Sequence, residues 1–381
     1  MEPTHPPGVH RSPTDSEHDR EVPENDLLSP LTLRGVTFRN RIAMSPMCQY
    51  MAREGMAHNW HLVHLGSRAV GGAGFVCVEA TAVTPQGRIS PADVGLWSDA
   101  HAAPLVTIAA FVKEQGAVAG IQLAHAGRKG SSKPPWEGGG WIPIHDGGWE
   151  VVGPSALPFD EHGPEPKELT DAEIEAIIHA FEAATRRAVA AGFQVIELHA
   201  AHGYLLHEFL SPLSNRRTDR YGGDLENRIR LVRRVADRMR QAMPDDLLLF
   251  TRISATDWVP GAWDIEQAVH LSGRLADVGV DLVDVSSGGS APRAHIPVAR
   301  GYQVPFARRI REEVGIPTAA VGLITETAHA DEIITGGDAD LVMLGRELLR
   351  EPYWALKSQH TLDQEPSWPV PYGYAVKRRC R

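Results

Sequence analysis

Eight short apolar segments follow one another along the chain from Leu27 onward, and a helical pattern separates each from the next. The segments are apolar almost throughout, which is typical of parallel strands that are buried on both faces. Eight strands that are each followed by a helix predict an α/β fold, a single (β/α)8 barrel of the TIM type; an open doubly wound sheet is the alternative. The predicted strands are residues 41–46, 75–83, 117–123, 193–199, 247–254, 281–287, 318–322 and 340–345. The predicted helices lie near residues 59–70, 99–115, 170–191, 225–242, 265–278, 304–314, 326–335 and 346–357.

Three parts of the chain fall outside this pattern. Residues 1–26 hold seven acids, two bases and five prolines but no leucine, isoleucine or aromatic residue, so we expect a disordered acidic tail. Residues 131–168, rich in glycine, proline and tryptophan, follow the third strand and predict an excursion that caps one barrel mouth. We therefore assign residues 27–360 to one barrel domain and residues 361–381 to a C-terminal extension.

Composition excludes several classes of protein. The formal net charge of −10 argues against nucleic acid, whose binding needs a basic face. No run of eighteen apolar residues predicts a membrane span, and the N-terminus has no apolar stretch typical of a secretory signal. The three scattered cysteines, Cys48, Cys77 and Cys380, do not suggest a disulfide framework, so we expect a cytoplasmic protein.

Polar groups follow the apolar run at nearly every predicted strand. Because catalytic groups of such barrels lie at the C-terminal ends of the strands, this pattern predicts an active site for a small molecule. The glycines near the last strands, together with Arg346, also suit a phosphate, which backbone N–H groups and an arginine bind well. The groups in question are SPMCQY (45–50), Gln122 with His125 and Arg128, His199, Arg252, SSGG (286–289), Gly322, Gly345 and Arg346.

The fourth strand runs directly into VIELHAAHGYLLHEFLSP, residues 195–212. His199 and His202 could be two metal ligands of a barrel hydrolase, since imidazole is the commonest such side chain. The other strand ends, however, offer glutamine, arginine, serine and glycine rather than carboxylates. Arginine and glutamine suit an anionic, planar, hydrogen-bonding cofactor better than a cation, so no metal site is predicted.

Five segments together resemble the Old Yellow Enzyme family of flavin-dependent ene-reductases. They are SPMCQY, IQLAHAGRK (121–129), ELHAAHGYLLHEFLSPLSNRRTDRYGG (197–223), VGLI (321–324) and LGRELL (344–349). The cysteine of SPMCQY marks similarity to the thermophilic-like, xenobiotic-reductase branch of that family. The resemblance covers about Leu27 to Leu356, in order and with compatible spacing.

The resemblance implies a non-covalently bound FMN at the barrel mouth. Arg252 would lie near the pyrimidine ring, where its charge favours the anionic reduced flavin. Cys48 would contact the flavin and tune its potential, with a small buried hydrophobe as the alternative interpretation. The full set of matching positions is Ser45, Pro46, Met47, Cys48, Ala80, Gln122 and Arg252 for the ring, and Gly322, Gly345 and Arg346 for the phosphate.

The same resemblance assigns the chemistry to the fourth strand end. His199 and His202 would bind the oxygen of an α,β-unsaturated carbonyl or of a nitro compound, and Tyr204 would protonate the α-carbon. With an ordinary pKa near 10, Tyr204 would be protonated at neutral pH. Tyr50 would contact the substrate, and His207 is interpreted as structural.

NADPH or NADH would be the reductant and would share one site with the alkene, in ping-pong order. Homo-oligomerisation, as a dimer or tetramer, is also expected, with Arg378 either a candidate to enter a neighbouring site or part of a solvated basic tail. Three alternatives remain: the larger iron–sulfur relatives, which three cysteines disfavour, a metal hydrolase, and a non-catalytic flavin-binding barrel.

Overall fold

The computed structural model describes residues 25–376, and a closed barrel of eight parallel strands forms its centre. The strands follow one another around the barrel in chain order, and the last pairs with the first through Val342 opposite Ile42 and Leu344 opposite Met44. This closure confirms the (β/α)8 barrel and excludes the open sheet. The strands are β1 (Ile42–Met44), β2 (Phe75–Ala82), β3 (Val118–Ala124), β4 (Val195–Ala200), β5 (Leu248–Ser254), β6 (Leu282–Ser286), β7 (Thr318–Val321) and β8 (Leu341–Leu344).

A helix packs outside the barrel after each strand. The last predicted helix, residues 346–357, is wrong as one element: it is split into a short helix, Arg346–Arg350, and a second one that begins at Trp354. Pro352 lies between them, and proline both lacks an N–H and disfavours helical backbone at the residue before it. The helices are α1 (Asn59–Val70), α2 (Asp99–Glu114), α3 (Asp171–Ala190), α4 (Leu225–Gln241), α5 (Ile265–Asp277), α6 (Val304–Val314), α7 (Thr327–Thr335) and α8 (Trp354–Thr361).

A hairpin that the sequence patterns did not predict covers the N-terminal end of the barrel. Its strands are Leu31–Leu33 and Val36–Phe38. The ring of Phe38 lies 5.8 Å from that of Phe75 in β2 and 6.3 Å from that of Phe250 in β5, measured between centroids. These aromatic rings form a buried cluster, so this end of the barrel is filled.

The excursion after β3, residues 131–168, contains two short 3-10 helices and a two-stranded sheet of Val152–Gly153 with Lys167–Glu168. The ring of Trp136 meets that of Tyr50 edge-on at 5.7 Å, and Phe159 lies 4.7 Å from the ammonium of Lys129. Both partners follow the C-terminal ends of strands. The excursion therefore packs over the barrel mouth at which the polar strand ends meet.

Three expectations concern the two ends of the chain and the absence of a membrane-spanning helix. Residues 1–24, most of the predicted acidic tail, and Arg378 lie outside the described residues. Asn25 is already in contact with the barrel, because its Oδ1 accepts a hydrogen bond from Arg41 at 2.8 Å. Between residues 25 and 376, every helix is too short or too polar to cross a membrane.

Candidate active site

A buried polar layer lies in the barrel just below its mouth. Alternate residues of a barrel strand point inward, and here four strands contribute a polar side chain at this level. The guanidinium of Arg252 donates through Nη1 to Ser45 Oγ at 2.8 Å, and its Nε lies 3.2 Å from Asp284 Oδ2. Gln122 Nε2 donates to Glu197 Oε1 at 2.7 Å. All five side chains are buried, so each polar contact acts in a medium of low dielectric constant.

His199, His202 and Tyr204 meet above this layer, at the end of β4. The ring of His199 lies 5.2 Å from that of His202 and 5.2 Å from that of Tyr204, both nearly edge-on. His202 has a φ of +60°, so the chain turns sharply there, and Tyr204 precedes the short helix Leu205–Leu210. The three residues lie within six positions of the sequence, and this turn places their side chains together on one side of the barrel mouth.

The backbone and ring of His202 are held from three sides. Its N–H donates to Ser254 Oγ at 2.9 Å, and its carbonyl accepts a hydrogen bond from Lys129 Nζ at 2.8 Å. Its ring Nε2 lies 2.7 Å from Ser286 Oγ. With Nε2 occupied, Nδ1 is the ring nitrogen left to reach a ligand.

Electrostatics keep this cluster neutral. Burial, and then the positive charge of Arg252, lower the pKa values of His199 and His202 well below the usual range. Burial raises the pKa of Tyr204 well above 10, which corrects the expectation of an ordinary value. Near neutral pH the site therefore holds two uncharged imidazoles and one protonated phenol, all of which can donate a hydrogen bond.

His207 has the contacts of a structural residue. Its Nε2 lies 3.1 Å from Asp257 Oδ1, and both side chains are fully buried. Its Nδ1 accepts a hydrogen bond from the N–H of Gly203 at 2.9 Å. The Asp257–His207 pair thus fixes the turn that carries His202 and Tyr204.

The SPMCQY segment leaves β1 and runs beside the histidine cluster. Burial, with the nearby carboxyl groups of Asp93 and Glu79, raises the pKa of the Cys48 thiol, so it stays uncharged. Glu79 Oε2 accepts the N–H of Gln49 at 3.0 Å and thereby positions this segment. Ala80 follows Glu79 in a part of β2 where the pairing with β3 is irregular, between Val78 and Thr81.

A cavity of about 270 Å³ joins the polar layer to the ends of the last two strands. Gly322 has a φ of +123°, and a Cβ built on it would lie 2.7 Å from Gln303 Nε2. A Cβ on Gly345 would lie 3.0 Å from Met47 Sδ. Glycine is therefore required at Gly322 by the backbone conformation and the close packing, whereas a side chain at Gly345 would need a shift of the flexible Met47. Of the residues with predicted roles, the cavity is lined by Ser45, Met47, Arg252, Gly322, Gly345 and Arg346, while Pro46 lies buried between Ser45 and Met47.

Several residues of the site had no predicted role, among them Lys129 and Gln303. Lys129 Nζ donates to the carbonyls of His202 and Gly289, and it lies 4.9 Å above the ring of Tyr204. Burial lowers the pKa of Lys129 to about 8. Gln303 accepts a hydrogen bond from Ser287 Oγ at 2.6 Å and donates to a carbonyl of β7 at 2.8 Å. IQLAHAGRK contains Lys129, but no motif signal pointed to Gln303.

The donor set fits FMN. His199 Nδ1 is a buried atom without a hydrogen-bond partner among residues 25–376, and it lies at the mouth, above the buried guanidinium of Arg252. The cavity beyond them has glycine backbone and the exposed Arg346 at its far end, as an anionic phosphate requires. Over the same residues, His, Cys, Asp and Glu form no group of three or more that could hold a metal ion.

A barrel with this polar mouth defines a class, the flavin-dependent oxidoreductases. A sequence model of the NADH:flavin oxidoreductase / NADH oxidase family matches residues 26–365, and the chain belongs to this family. The resemblance to Old Yellow Enzymes is thereby confirmed. The protein is an enzyme, and its cofactor is FMN, with a reduced nicotinamide nucleotide as reductant.

Several known proteins are similar over nearly the whole chain. The NADPH dehydrogenase of Geobacillus thermodenitrificans is 51% identical over 91% of this chain and 97% of its own length. The NADPH dehydrogenase of Bacillus subtilis is 45% identical over 91% and 98%. Among solved structures, morphinone reductase superposes with a TM-score of 0.75 at 25% identity, covering 91% of this chain and 92% of its own.

Proposed function

We propose that this chain is an NADPH-dependent ene-reductase that reduces the activated C=C bond of α,β-unsaturated carbonyl compounds, with nitro compounds as a second substrate class. One observation carries the proposal: two neutral imidazoles and one protonated tyrosine surround the same opening, beside the buried layer of Arg252 and Gln122. NADPH is favoured over NADH because similar proteins are named NADPH dehydrogenases.

The cofactor would be held from both ends of the cavity. Bound FMN supplies the hydride that it accepts from the reduced nicotinamide. The buried Arg252 would hold the ring and offer a positive charge that favours its anionic reduced form, and Arg346 would offer a charge-assisted contact to the phosphate. The proposed ring contacts are Ser45, Pro46, Met47, Cys48, Ala80, Gln122 and Arg252, and the proposed phosphate contacts are Gly322, Gly345 and Arg346.

His199 and His202 would bind the substrate oxygen. A carbonyl oxygen gains negative charge as its conjugated alkene is reduced, and preorganised donors stabilise that charge. Neutral imidazoles supply such donors, since each carries one N–H. Tyr50, whose ring packs against Trp136 of the excursion, would line the same opening and restrict the shape of the substrate.

Tyr204 would donate the proton that completes the reduction. Its raised pKa keeps the phenol protonated across the neutral range, so the proton is available in every turnover. The ammonium of Lys129, 4.9 Å from the centre of its ring, would stabilise the phenolate left behind. A water molecule would then return the proton.

The test separates the two half-reactions. Tyr204→Phe removes the phenolic proton but leaves the ring, so reduction of the flavin by NADPH should stay nearly intact. Oxidation of the reduced enzyme by an activated alkene should slow by roughly 10²- to 10⁴-fold, the usual contribution of a positioned acid. Both rates are measured by stopped-flow absorbance of the flavin.

Tyr221→Phe is the matched control. Tyr221 is fully buried but lies before α4, where its hydroxyl contacts Arg234, so both half-reactions should match the parent. If Tyr204→Phe slows both half-reactions equally, Tyr204 is a structural residue. If it slows neither, another group is the acid.

A further inference from the structure

We propose that Glu197 is a positioning residue for the flavin ring: it holds the amide of Gln122 so that the Gln122 oxygen faces the barrel mouth as a hydrogen-bond acceptor. The inference rests on the proposed contact between Gln122 and FMN. It goes beyond that contact because Glu197 would act through its hydrogen bond to Gln122 and not as a ligand of the flavin itself.

The geometry that carries the inference is one buried hydrogen bond. Gln122 in β3 and Glu197 in β4 are direct neighbours in the ladder, and Gln122 Nε2 donates to Glu197 Oε1 at 2.7 Å. The side chains are 2% and 0% exposed. Water therefore does not compete for this bond, and the amide nitrogen of Gln122 has one strong partner, the neighbouring carboxyl oxygen of Glu197.

The two ends of a glutamine amide are not equivalent. The nitrogen donates two hydrogen bonds and the oxygen accepts, so an amide free to turn could present either end to a ligand. A carboxyl oxygen next to the nitrogen removes this freedom, because it accepts a hydrogen bond. With the nitrogen bound to Glu197, Gln122 Oε1 would be the end left for a ligand, and as an acceptor it would suit an N–H of the flavin ring and repel a second acceptor.

The buried position of Glu197, next to Asp284, makes a carboxyl group there unfavourable for the stability of the fold. Burial and the neighbouring Asp284 raise the pKa of Glu197, while Arg252 opposes that rise. Oε2 of Glu197 has no hydrogen-bond partner among residues 25–376, which leaves it as the place for a proton. A buried polar group of this kind destabilises a fold, and an apolar side chain of similar volume would pack there at lower cost. A carboxyl group at this buried position therefore points to a role in the site.

Two substitutions separate the hydrogen bond to Gln122 from the rest of the Glu197 side chain. Glu197→Gln keeps an oxygen that can accept from Gln122, whereas Glu197→Leu has none. Holoenzyme is diluted in steps, and released FMN is measured by its fluorescence. We expect the dissociation constant of FMN to rise about tenfold in the leucine variant, as for one lost hydrogen bond, and to stay within about threefold of the parent in the glutamine variant.

A double-mutant cycle shows whether the effect passes through Gln122. Gln122→Leu alone should weaken FMN binding at least as much as Glu197→Leu, and the double variant should be no weaker than Gln122→Leu. Additive losses would overturn the inference, and so would equal losses in the glutamine and leucine variants of Glu197. Glu197→Met replaces the leucine variant in the cycle if the latter does not fold.

The outcome is independent of the alkene chemistry. FMN release involves neither a substrate nor Tyr204, so loss of this inference leaves the test of the proposed ene-reductase untouched. If the dissociation constant of FMN is the same in Gln122→Leu and in the parent, the proposed contact between Gln122 and the flavin is wrong. The proposed role of Glu197 is then overturned as well.

Discussion

The ring Nε2 of His202 lies 2.7 Å from the hydroxyl oxygen of Ser286, so a residue at the end of β6 determines which proton a histidine at the end of β4 can offer. When the Ser286 hydroxyl donates to an unprotonated Nε2, the neutral imidazole carries its proton on Nδ1. Nδ1–H is then free to bind an oxygen of the substrate. The side-chain oxygen of Gln303, which accepts a shorter bond from Ser287 than from Ser286, leaves the Ser286 proton available for this contact.

Ser286→Ala should therefore weaken oxygen recognition. Without the hydroxyl, the imidazole of His202 loses the bond that fixes its tautomer and its orientation. We expect a simple phenol to bind about tenfold more weakly, a loss typical of one hydrogen bond to a buried group. The change in the visible spectrum of bound FMN on titration with the phenol gives the dissociation constant.

Ser272→Ala serves as the control, because Ser272 is a buried serine in α5 whose hydroxyl donates to the carbonyl of Ala268 and has no contact with His202. It should leave phenol binding close to that of the parent. Equal affinities in the parent and in Ser286→Ala would mean that the tautomer of His202 is set by another group.

Gly322→Ala should release FMN more readily. The backbone at Gly322 has a φ of +123°, a conformation that residues with a Cβ rarely adopt, and the added methyl group would lie 2.7 Å from Gln303 Nε2. Either the loop shifts or Gln303 loses its hydrogen bond to the carbonyl of β7. Both changes would distort the site proposed for the phosphate. The dissociation constant of FMN should rise tenfold or more, measured by released flavin fluorescence.

Gly273→Ala provides the comparison for that variant. Gly273 lies in α5, and no neighbouring atom comes within 4 Å of the place that an added methyl group would take, so alanine fits there. It should stabilise the helix by about 0.5–1 kcal/mol and leave FMN binding unchanged. If both variants keep FMN equally well, the close approach at Gly322 has no part in binding.

Glu208→Gln should change how stability depends on pH. Glu208 is fully buried, accepts the N–H of Arg128 at 2.9 Å, and burial raises its pKa from 4.5 to about 8. Between these values the native state keeps a proton that the unfolded chain releases, so stability of the parent falls as pH rises, by up to about 1.4 kcal/mol per pH unit. Glutamine does not titrate, and this contribution is lost in the variant.

The effect is measured by the thermal unfolding midpoints of the parent and of Glu208→Gln at roughly pH 5, 6, 7 and 8. These conditions lie between the pKa of Glu208 in the unfolded chain and its pKa in the folded chain. The midpoint of the variant should rise relative to the parent at each step. A difference that is the same at every pH would show that Glu208 titrates alike in the folded and unfolded chains.

The eight strands could be predicted because each is an apolar run buried on both faces, a signal that depends only on local sequence. The closeness of His199, His202 and Tyr204 could be predicted because all three follow one strand end within six residues, whereas their proposed roles came from the resemblance to a family. Contacts between segments that are distant in the sequence could not be predicted from such local patterns. Ser286 reaches His202 and Lys129 reaches Gly289 only because the barrel closes, and a single serine or lysine carries no periodic pattern.

Local sequence also failed where elements are short or interrupted. The hairpin strands Leu31–Leu33 and Val36–Phe38 have three residues each, too few for alternation to be recognised. Pro352 breaks a helix whose apolar spacing continues on both sides. The raised pKa of Tyr204 was missed because burial is a property of the fold rather than of the residue.

The aromatic cluster at the N-terminal end of the barrel lies apart from the active site, so thermal stability and catalysis depend on different residues. Phe38, Phe75 and Phe250 fill this end, which is called the floor of the barrel, and the groups with a proposed role in turnover lie at or near the opposite end. Substitutions in the floor can therefore alter the lifetime of the enzyme at high temperature without altering which molecules it reduces. Conversely, the mouth can be remodelled for new substrates while the floor keeps the barrel closed. A lineage, or an engineer, can thus select for heat resistance and for specificity at two ends of one molecule, largely independently.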